Sequence, residues 1–180
     1  THAVIAAEAM RRGKHVYCQK PLTHDVYESR MLAKIAKETG VTTQMGIQGH
    51  SGEGARLICE WIWDGAIGEV READAWCSLS YYPFGHASWS SEWSDRPEDT
   101  PPVPETLDWD LWLGPAPERP YHPAYHPRVW RCWWDFGCGM MGDRGVHTLD
   151  SVYSALKLGP PDTIQASVMG GNEETHPLAA

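Results

Sequence analysis

Paired cysteines, long apolar runs and an excess of basic residues are all missing from this sequence. The 180 residues include five cysteines, none of them in a C-x-x-C pair, so a disulfide framework or a structural zinc site of the usual spacing is not expected. The five cysteines are instead expected to be reduced and mostly buried, which is typical of a protein in a reducing compartment. No basic and apolar leader opens the sequence at Thr1, so the predicted location is the cytoplasm, unless an export signal precedes that residue.

The charge balance and the short apolar runs exclude two classes of partner. No apolar run approaches the roughly 18 residues that span a bilayer, and 15 Lys plus Arg against 24 Asp plus Glu give a formal charge of −9. Neither a nucleic acid nor a membrane is an expected partner, because binding to a polyanion needs a net basic face. With 42% hydrophobic and 22% charged residues, the composition is that of a globular protein.

The first 45 residues alternate between helical and strand patterns. The pattern predicts a helix that ends at Gly13, a strand over 15–18, a helix capped by Thr23 and ended by Gly40, and a strand over 41–45. Helix, strand, helix and strand at short spacing indicate a parallel α/β sheet with crossover helices.

A glycine-rich connector then interrupts this alternation. It runs from Gly46 to Gly54 and marks the predicted domain boundary, because glycine clusters between periodic segments are typical of linkers. Residues 1–48 are therefore predicted to complete a first domain, and residues 49–180 to belong to a second.

The second part of the chain contains regular elements on either side of an irregular stretch. Helical stripes predict helices over 55–62 and 140–158, and alternating patterns predict strands over 68–80 and 162–169. Ten prolines between Pro83 and Pro127 exclude a long regular element there. Eight of the ten tryptophans lie between Trp76 and Trp134, in and around this stretch. Their rings must be buried somewhere, so the stretch is not a solvated linker.

The helix predicted over 140–158 carries a polar stripe beside its apolar one. At about 100° per residue, Asp143, His147, Asp150 and Ser154 share one face, where a cleft wall would lie. Asp143 and His147 are four residues apart, so the carboxylate can orient the imidazole and raise its basicity. Alternatively, Asp143 caps the helix and His147 is a half-buried, hydrogen-bonded histidine.

Lys20 stands directly after the strand predicted over 15–18 and directly before Pro21. Ligands of open parallel sheets bind outside the carboxyl ends of the strands, so this position directs the amine at whatever the sheet binds. Pro21 keeps Lys20 out of the helical region and permits a cis bond. The alternative is a solvated lysine without a role.

Two separated motifs resemble the Gfo/Idh/MocA family, which includes relatives of glucose-fructose oxidoreductase and inositol dehydrogenase. They are GKHVYCQKPLT and, more than a hundred residues later, GCGMMGDRGVHTLD. HAVIAAEAMRRGKHV is also similar to the helix and strand before the family's E-K-P motif, and GAIGEV to the entry into its second domain. The resemblance extends through nearly the whole chain.

The resemblance implies the C-terminal part of a Rossmann-type parallel sheet that holds NAD or NADP. It also implies a following α+β substrate domain with an open, mostly antiparallel sheet that carries a sugar or polyol site. By this resemblance Lys20, Asp143 and His147 are the catalytic residues, and Gln19, Lys20 and Pro21 lie against the cofactor. Gln19 replaces the glutamate of E-K-P, which removes a charge beside Lys20. Homo-oligomers are usual in the family, so one is expected.

The family's G-x-G-x-x-G turn and its ribose-binding acidic residue do not occur among these 180 residues. The expectation is a piece that lacks the first half of its Rossmann sheet and the end of its second domain. Such a piece should bind no dinucleotide measurably on its own.

The resemblance leads to a hypothesis of hydride transfer from a secondary hydroxyl of a carbohydrate. His147 would take the hydroxyl proton, Lys20 would stabilise negative charge on that oxygen, and Asp143 would orient His147. Aromatic faces can cover the C–H face of a sugar. The predicted substrate contacts are Trp112, Tyr121, His122, Tyr125 and His126. Alternatively, these rings anchor the proline-rich stretch or a subunit interface.

Two rival functions remain open. A metal-dependent hydrolase or isomerase would use His122 and His126 with His86 and Asp143, but a proline follows each of the first two, so the helical spacing of ligands fails. A non-catalytic sugar-binding member of the same fold is the second rival, which Gln19 favours slightly. Lys20, Asp143 and His147 together argue against it, because a binder needs no base beside a lysine.

Overall fold

A computed structural model describes residues 1–77, 93 and 95–177. The chain divides into two compact units. The sheet unit consists of His2–Cys77 and Arg144–Gln165, and the aromatic unit consists of Thr1, Ser78–Asp143 and Ala166–Ala180. The domain boundary predicted after residue 48 is not tested by this division and stays a prediction.

The sheet unit opens with alternating helices and strands. Helix α1 spans His2–Arg11, strand β1 Val16–Gln19, helix α2 Val26–Thr39 and strand β2 Thr43–Gly46. β1 and β2 pair in parallel, with Val16 opposite Thr43 and Gln19 opposite Gly46. The order and the parallel sheet predicted from the sequence are confirmed, and the fold class is α/β.

The ends of α2 show which residues fix its length. The side chain of Asp25 accepts a hydrogen bond from the Glu28 amide, so Asp25 is the N-cap. The prediction of Thr23 was wrong by two residues, because Thr23 instead places its hydroxyl oxygen 2.6 Å from that of Ser29. Gly40 ends the helix in the left-handed region at φ 66°, as predicted, and this conformation costs glycine little.

Two further helices complete the sheet unit. Helix α3 spans Glu53–Trp63 and helix α5 spans Val146–Leu156. The indole Nε1 of Trp63 donates to the carbonyl oxygen of Ala155 over 2.7 Å, and the Lys157 ammonium lies 4.5 Å from the Trp63 ring centroid. Both predicted helices are confirmed, but the segment Met141–Gly145 that precedes α5 is π-helical.

Two predicted strands do not form in the described part of the chain. Residues 68–77 and 163–168 are not in strands, and residues 78–80 lie outside the described residues. A strand needs a neighbour that pairs with its backbone groups, and the described residues contain only the sheet of β1 and β2. Ile164 is accordingly 82% exposed. An antiparallel bridge joins Trp133 to Thr175, and Met169, at the end of the second predicted strand, is also in a bridge.

In the described residues of the aromatic unit, packing between rings is more extensive than regular secondary structure. Its one α-helix among the described residues, α4, spans only Trp109–Leu113, as the prolines predicted. Trp133 is fully buried, and its Nε1 donates to the Ala124 carbonyl oxygen over 2.8 Å. Trp109 stacks on Trp112 with ring centroids 4.7 Å apart. The tryptophan-rich stretch therefore forms a core.

The helices of the described residues are short. No helix in the described ranges combines the length and apolar character that crossing a membrane requires.

Candidate functional site

Lys20 lies at the carboxyl end of β1, half-buried, where the sequence placed it. Its backbone N–H lies 3.3 Å from the Gly46 carbonyl oxygen and 2.9 Å from the Gln19 side-chain oxygen. The Lys20–Pro21 peptide is cis. Nδ1 of His2 lies 2.7 Å from the Pro21 carbonyl oxygen, so the residues around Lys20 are fixed to both β2 and α1.

Gly46 lies opposite Gln19 in the sheet, and little space is left for a side chain there. A Cβ on Gly46 would lie 3.0 Å from Cε1 of Tyr17 and 3.1 Å from Oε1 of Gln19. A larger residue would require these side chains to move by a few tenths of an ångström, and one of them is the Gln19 amide oxygen that accepts from the Lys20 amide. Gly46 thus helps to position Lys20, a role that the sequence did not indicate.

His147 lies in the first turn of α5 and is half-buried in the sheet unit. Lys20 belongs to the same unit. Asp143 precedes α5 in the π-helical segment, and its carboxylate lies 3.3 Å from Nε of Arg131. The predicted pairing of Asp143 with His147 stays a prediction.

A histidine–carboxylate pair that was not predicted joins the turn after β2 to helix α5. Nδ1 of His50 is 3.0 Å and 3.1 Å from the two carboxylate oxygens of Asp150. His50 belongs to the 3₁₀ turn Gln48–Ser51, just after β2. Asp150 was visible on the polar stripe of α5, but its partner is 100 residues away in the sequence, so no local pattern could reveal it.

The predicted substrate contacts lie in or beside the core of the aromatic unit. Tyr125 is 2% exposed and packs against Trp133, with ring centroids 4.8 Å apart. His122 is 6% exposed, and both ring nitrogens have partners: the Ala124 amide donates to Nδ1 over 3.0 Å, and Nε2 lies 3.3 Å from Oδ1 of Asp99.

The other three predicted contacts also pack against rings. Tyr121 is 9% exposed and meets Trp109 edge-on, with centroids 5.3 Å apart. Trp112 and His126 are half-buried and meet edge-on at 5.6 Å. These contacts agree with the anchoring alternative, and the role in substrate binding stays a prediction.

An arginine buried among these rings was not singled out from the sequence. The Arg119 guanidinium lies about equally close to the rings of Tyr125 and Phe136, at 5.1 Å and 5.0 Å, and pairs with Asp135. Burial raises the pKa of the Tyr125 phenol, whereas the positive charge of Arg119 lowers it. Burial is the larger effect, so the pKa of Tyr125 is raised and the phenol is protonated at neutral pH.

The metal-site alternative finds no support in the geometry of the described residues. Within residues 1–77, 93 and 95–177, no three His, Cys, Asp or Glu side chains group closely enough to hold a metal ion. His122 is followed by turns over 123–128, which excludes the helical spacing with His126. His86 lies outside the described residues.

The nicotinamide cofactor implied by the sequence resemblance can be tested against the residues at the carboxyl edge of the sheet. Lys20 provides an ammonium group and Gln19 an amide at this edge, which are hydrogen-bonding groups suited to a carboxamide, ribose hydroxyls and phosphate oxygens. Gln19 is uncharged, so it does not repel phosphate as the family's glutamate would. These residues fit the nicotinamide side of such a cofactor.

Two family models match this chain. Residues 1–47 match the NAD-binding Rossmann fold of an oxidoreductase family, and residues 83–179 match the C-terminal alpha/beta domain of the same family. A curated relative, dTDP-3,4-didehydro-2,6-dideoxy-alpha-D-glucose 3-reductase of Actinomadura kijaniata, is 29% identical over 91 residues, which is 51% of this chain and 27% of the relative.

Solved structures with similar folds include two oxidoreductases. An oxidoreductase domain protein from Kribbella flavida is 25% identical at a TM-score of 0.53 and covers 87% of this chain and 32% of its own. An inositol dehydrogenase homolog from Azotobacter vinelandii, complexed with NADH and myo-inositol, is 20% identical at a TM-score of 0.53, with coverages of 87% and 30%.

These matches establish the family but cover only part of each relative. The chain spans 27% of the curated relative and 30% and 32% of the two solved chains. The C-terminal domain model alone matches residues 83–179, which is more than half of the 180 residues. The chain therefore belongs to the Gfo/Idh/MocA family of oxidoreductases, and its first 47 residues match that family's NAD-binding Rossmann domain.

Proposed function

We propose that the protein containing this chain is an NAD(P)-dependent oxidoreductase that acts on a secondary hydroxyl of a sugar or polyol. One observation carries the proposal. Lys20 lies at the carboxyl end of a parallel strand, within the residues that match an NAD-binding Rossmann fold. Ligands of such sheets bind outside this edge.

Each of three residues has a distinct role in the proposed reaction. His147 accepts the proton of the reacting hydroxyl, and Lys20 stabilises negative charge on that oxygen. Asp143 holds the imidazole in position or binds a neighbouring hydroxyl. The bound nicotinamide cofactor supplies the hydride acceptor or donor. Gln19 and Pro21 flank Lys20 and limit its positions beside the cofactor.

The carbohydrate class is supported by what the relatives' names state. The Actinomadura kijaniata relative is named as a reductase of a dTDP-linked dideoxy sugar, and the Azotobacter vinelandii structure contains myo-inositol. Both compounds are rings with secondary oxygen functions. A polyol or sugar ring is therefore the substrate class to test, with either NAD or NADP.

The decisive experiment measures NADH or NADPH formation by the full-length protein with myo-inositol, D-glucose and related cyclic polyols. His147→Ala should lower kcat by about two to four orders of magnitude, because it removes the proton acceptor. Lys20→Met should also lower kcat, because it removes the charge that stabilises the oxygen. Unchanged turnover in His147→Ala would remove the histidine from the mechanism.

A matched control is available at the other end of the same strand. His15 precedes β1, and its Nδ1 accepts from the Thr42 amide over 3.0 Å. His15→Phe should leave kcat within about twofold, because this position lies at the amino end of the strand. No coenzyme reduction with any polyol, together with tight polyol binding, would favour the non-catalytic sugar binder.

The cofactor proposal has its own test. The 180-residue chain by itself should bind NAD and NADP far more weakly than the full-length protein in calorimetric titration, since it contains no G-x-G-x-x-G turn. Tight binding by the 180 residues alone would show that they hold the dinucleotide in another way.

A further inference from the structure

We propose that His50 is a substrate-binding residue that accepts a hydrogen bond from a carbohydrate hydroxyl through Nε2, and that Asp150 positions it. The inference rests on the proposed function, because the carbohydrate is the substrate class proposed above. It adds a histidine that neither the motifs nor the family comparisons assigned.

The geometry of the pair fixes the orientation of the imidazole. Nδ1 of His50 lies 3.0 Å from Oδ1 and 3.1 Å from Oδ2 of Asp150, so the two carboxylate oxygens share one ring nitrogen. The Ser154 hydroxyl oxygen lies farther away, at 3.5 Å from the same nitrogen. A carboxylate can only accept, so Nδ1 carries the proton and the neutral ring presents Nε2 as an acceptor.

The His50 side chain is much more exposed than its partner. The His50 side chain is 57% exposed, whereas that of Asp150 is 17% exposed. Within residues 1–77, 93 and 95–177, no side chain or backbone group hydrogen-bonds to Nε2 of His50. Even a fully charged pair with one partner this exposed contributes only about 1 kcal/mol or less to stability, and a neutral imidazole gives no ion pair. Stability alone therefore gives little reason for the arrangement.

His50 follows the strand beside Lys20. β2 ends at Gly46, which lies opposite Gln19 and whose carbonyl oxygen accepts from the Lys20 amide. The turn that carries His50 begins at Gln48. Adjacent parallel strands deliver their following residues to the same edge of a sheet, where ligands bind. His50 and Lys20 are thus placed at one edge by neighbouring strands.

The helix that provides Asp150 also provides the proposed base. His147 and Asp150 are three residues apart in α5, and side chains at this spacing share a helix face. Through its contact with Asp150, His50 lies beside the face of α5 that carries His147. It also follows β2, the strand that pairs with the one before Lys20. An acceptor in this position would bind a hydroxyl beside the reacting one, which determines which polyols are accepted.

The kinetic test uses the full-length protein with NAD, myo-inositol and deoxy-inositols that each lack one hydroxyl. His50→Phe should lower kcat/KM for myo-inositol by about tenfold, mainly through KM, because one hydrogen bond to the substrate is lost. His50→Gln, which keeps a polar atom near the position of Nε2, should recover part of the loss. His15→Phe is the matched control and should change kcat/KM by less than twofold.

Two further readouts separate binding from a structural role. The deoxy-inositol that lacks the hydroxyl bound by His50 should be a poorer substrate than myo-inositol for the unchanged protein. For His50→Phe the two compounds should be equally good substrates. Asp150→Asn should lower kcat/KM, but His50→Phe with Asp150→Asn should be no worse than His50→Phe alone, because both changes remove one interaction. The Kd for NAD should stay within about twofold in every variant.

Carbethoxylation of His50 by diethyl pyrocarbonate, mapped by mass spectrometry, does not depend on turnover. The imidazole of this exposed side chain should react, and NAD with myo-inositol, D-glucose or a related polyol should protect it. If coenzyme is reduced but His50 is neither protected nor sensitive to substitution, the inference is overturned and the proposed function stands. Protection without coenzyme reduction would overturn the oxidoreductase proposal and support polyol binding at His50. Neither protection nor reduction would overturn both.

Discussion

Arg119 and Asp135 form an ion pair in which the two partners differ sharply in exposure. The Arg119 side chain is 3% exposed, and that of Asp135 is 29% exposed. Nε and Nη1 of Arg119 are buried and find no hydrogen-bond partner among the residues that the structure describes, and Nη1 lies 3.7 Å from the Glu174 carboxylate. The buried cation therefore depends on the less buried anion for most of its compensation.

This asymmetry predicts unequal effects of removing either partner. Asp135→Asn should lower the free energy of unfolding by about 3 kcal/mol, because it leaves a buried charge poorly compensated. Arg119→Met should cost clearly less, because it fills the space with an apolar chain and leaves a carboxylate that water reaches. Urea unfolding of both variants measures the difference, and equal losses would contradict the argument.

Two neighbouring tryptophans provide a matched pair for core packing. Trp133 is 0% exposed and donates to the Ala124 carbonyl, whereas Trp134 is 43% exposed and donates to the Asn172 carbonyl over 2.9 Å. Trp133→Phe should cost about 2 to 4 kcal/mol, since it leaves a cavity and an unsatisfied carbonyl. Trp134→Phe should cost less than half as much in the same unfolding experiment. A larger cost for Trp134→Phe would place the core elsewhere.

The corrected N-cap of α2 can be tested against the one expected from the sequence. Asp25→Ala should lower the free energy of unfolding by about 1 kcal/mol, because the Glu28 amide loses its acceptor. Thr23→Ala should cost less than Asp25→Ala, because Asp25 and not Thr23 is the N-cap whose side chain accepts from a first-turn amide of α2. Thermal unfolding of the two variants decides between the caps, and the reverse order would restore Thr23.

Cysteine reactivity should follow burial. Burial raises the pKa of the Cys18 thiol, which lines an apolar cavity of about 240 Å³ with residues of α1 and α2. Less thiolate is then present at pH 8, so iodoacetamide should alkylate Cys18 more slowly than the exposed Cys77. The rate at Cys18 should keep rising as the pH is raised above 8. Faster alkylation at Cys18 than at Cys77 would contradict this account.

Local patterns predicted the elements whose stabilising contacts are close in sequence. Gly40 ended α2 where expected, and the alternation of helices and strands up to Gly46 was read from periodicity and turn residues alone. Thr23 was mistaken for the cap because Asp25 has the same chemistry two residues later. The strands predicted over 68–80 and 162–169 did not form in the described residues, because a strand also needs a partner that its own pattern does not specify.

The candidate site divides in the same way. Lys20 and His147 were singled out because a strand end, a proline and a helix stripe surround them in the sequence. The role of Gly46 and the pairing of His50 with Asp150 depend on which residues meet across the fold. Tyr125 and His122 were predicted as substrate contacts with anchoring of the proline-rich stretch as the alternative, and the structure buries both among other rings.

The sequence alone determined the α/β alternation, the family resemblance and the position of Lys20 at a strand end, because each is encoded within a short segment. Only the tertiary structure decided that His50 meets Asp150 and that Arg119 is buried among rings. Those contacts join residues that are far apart along the chain or belong to the irregular, proline-rich stretch. Their geometry follows from packing, which no periodicity in the sequence records.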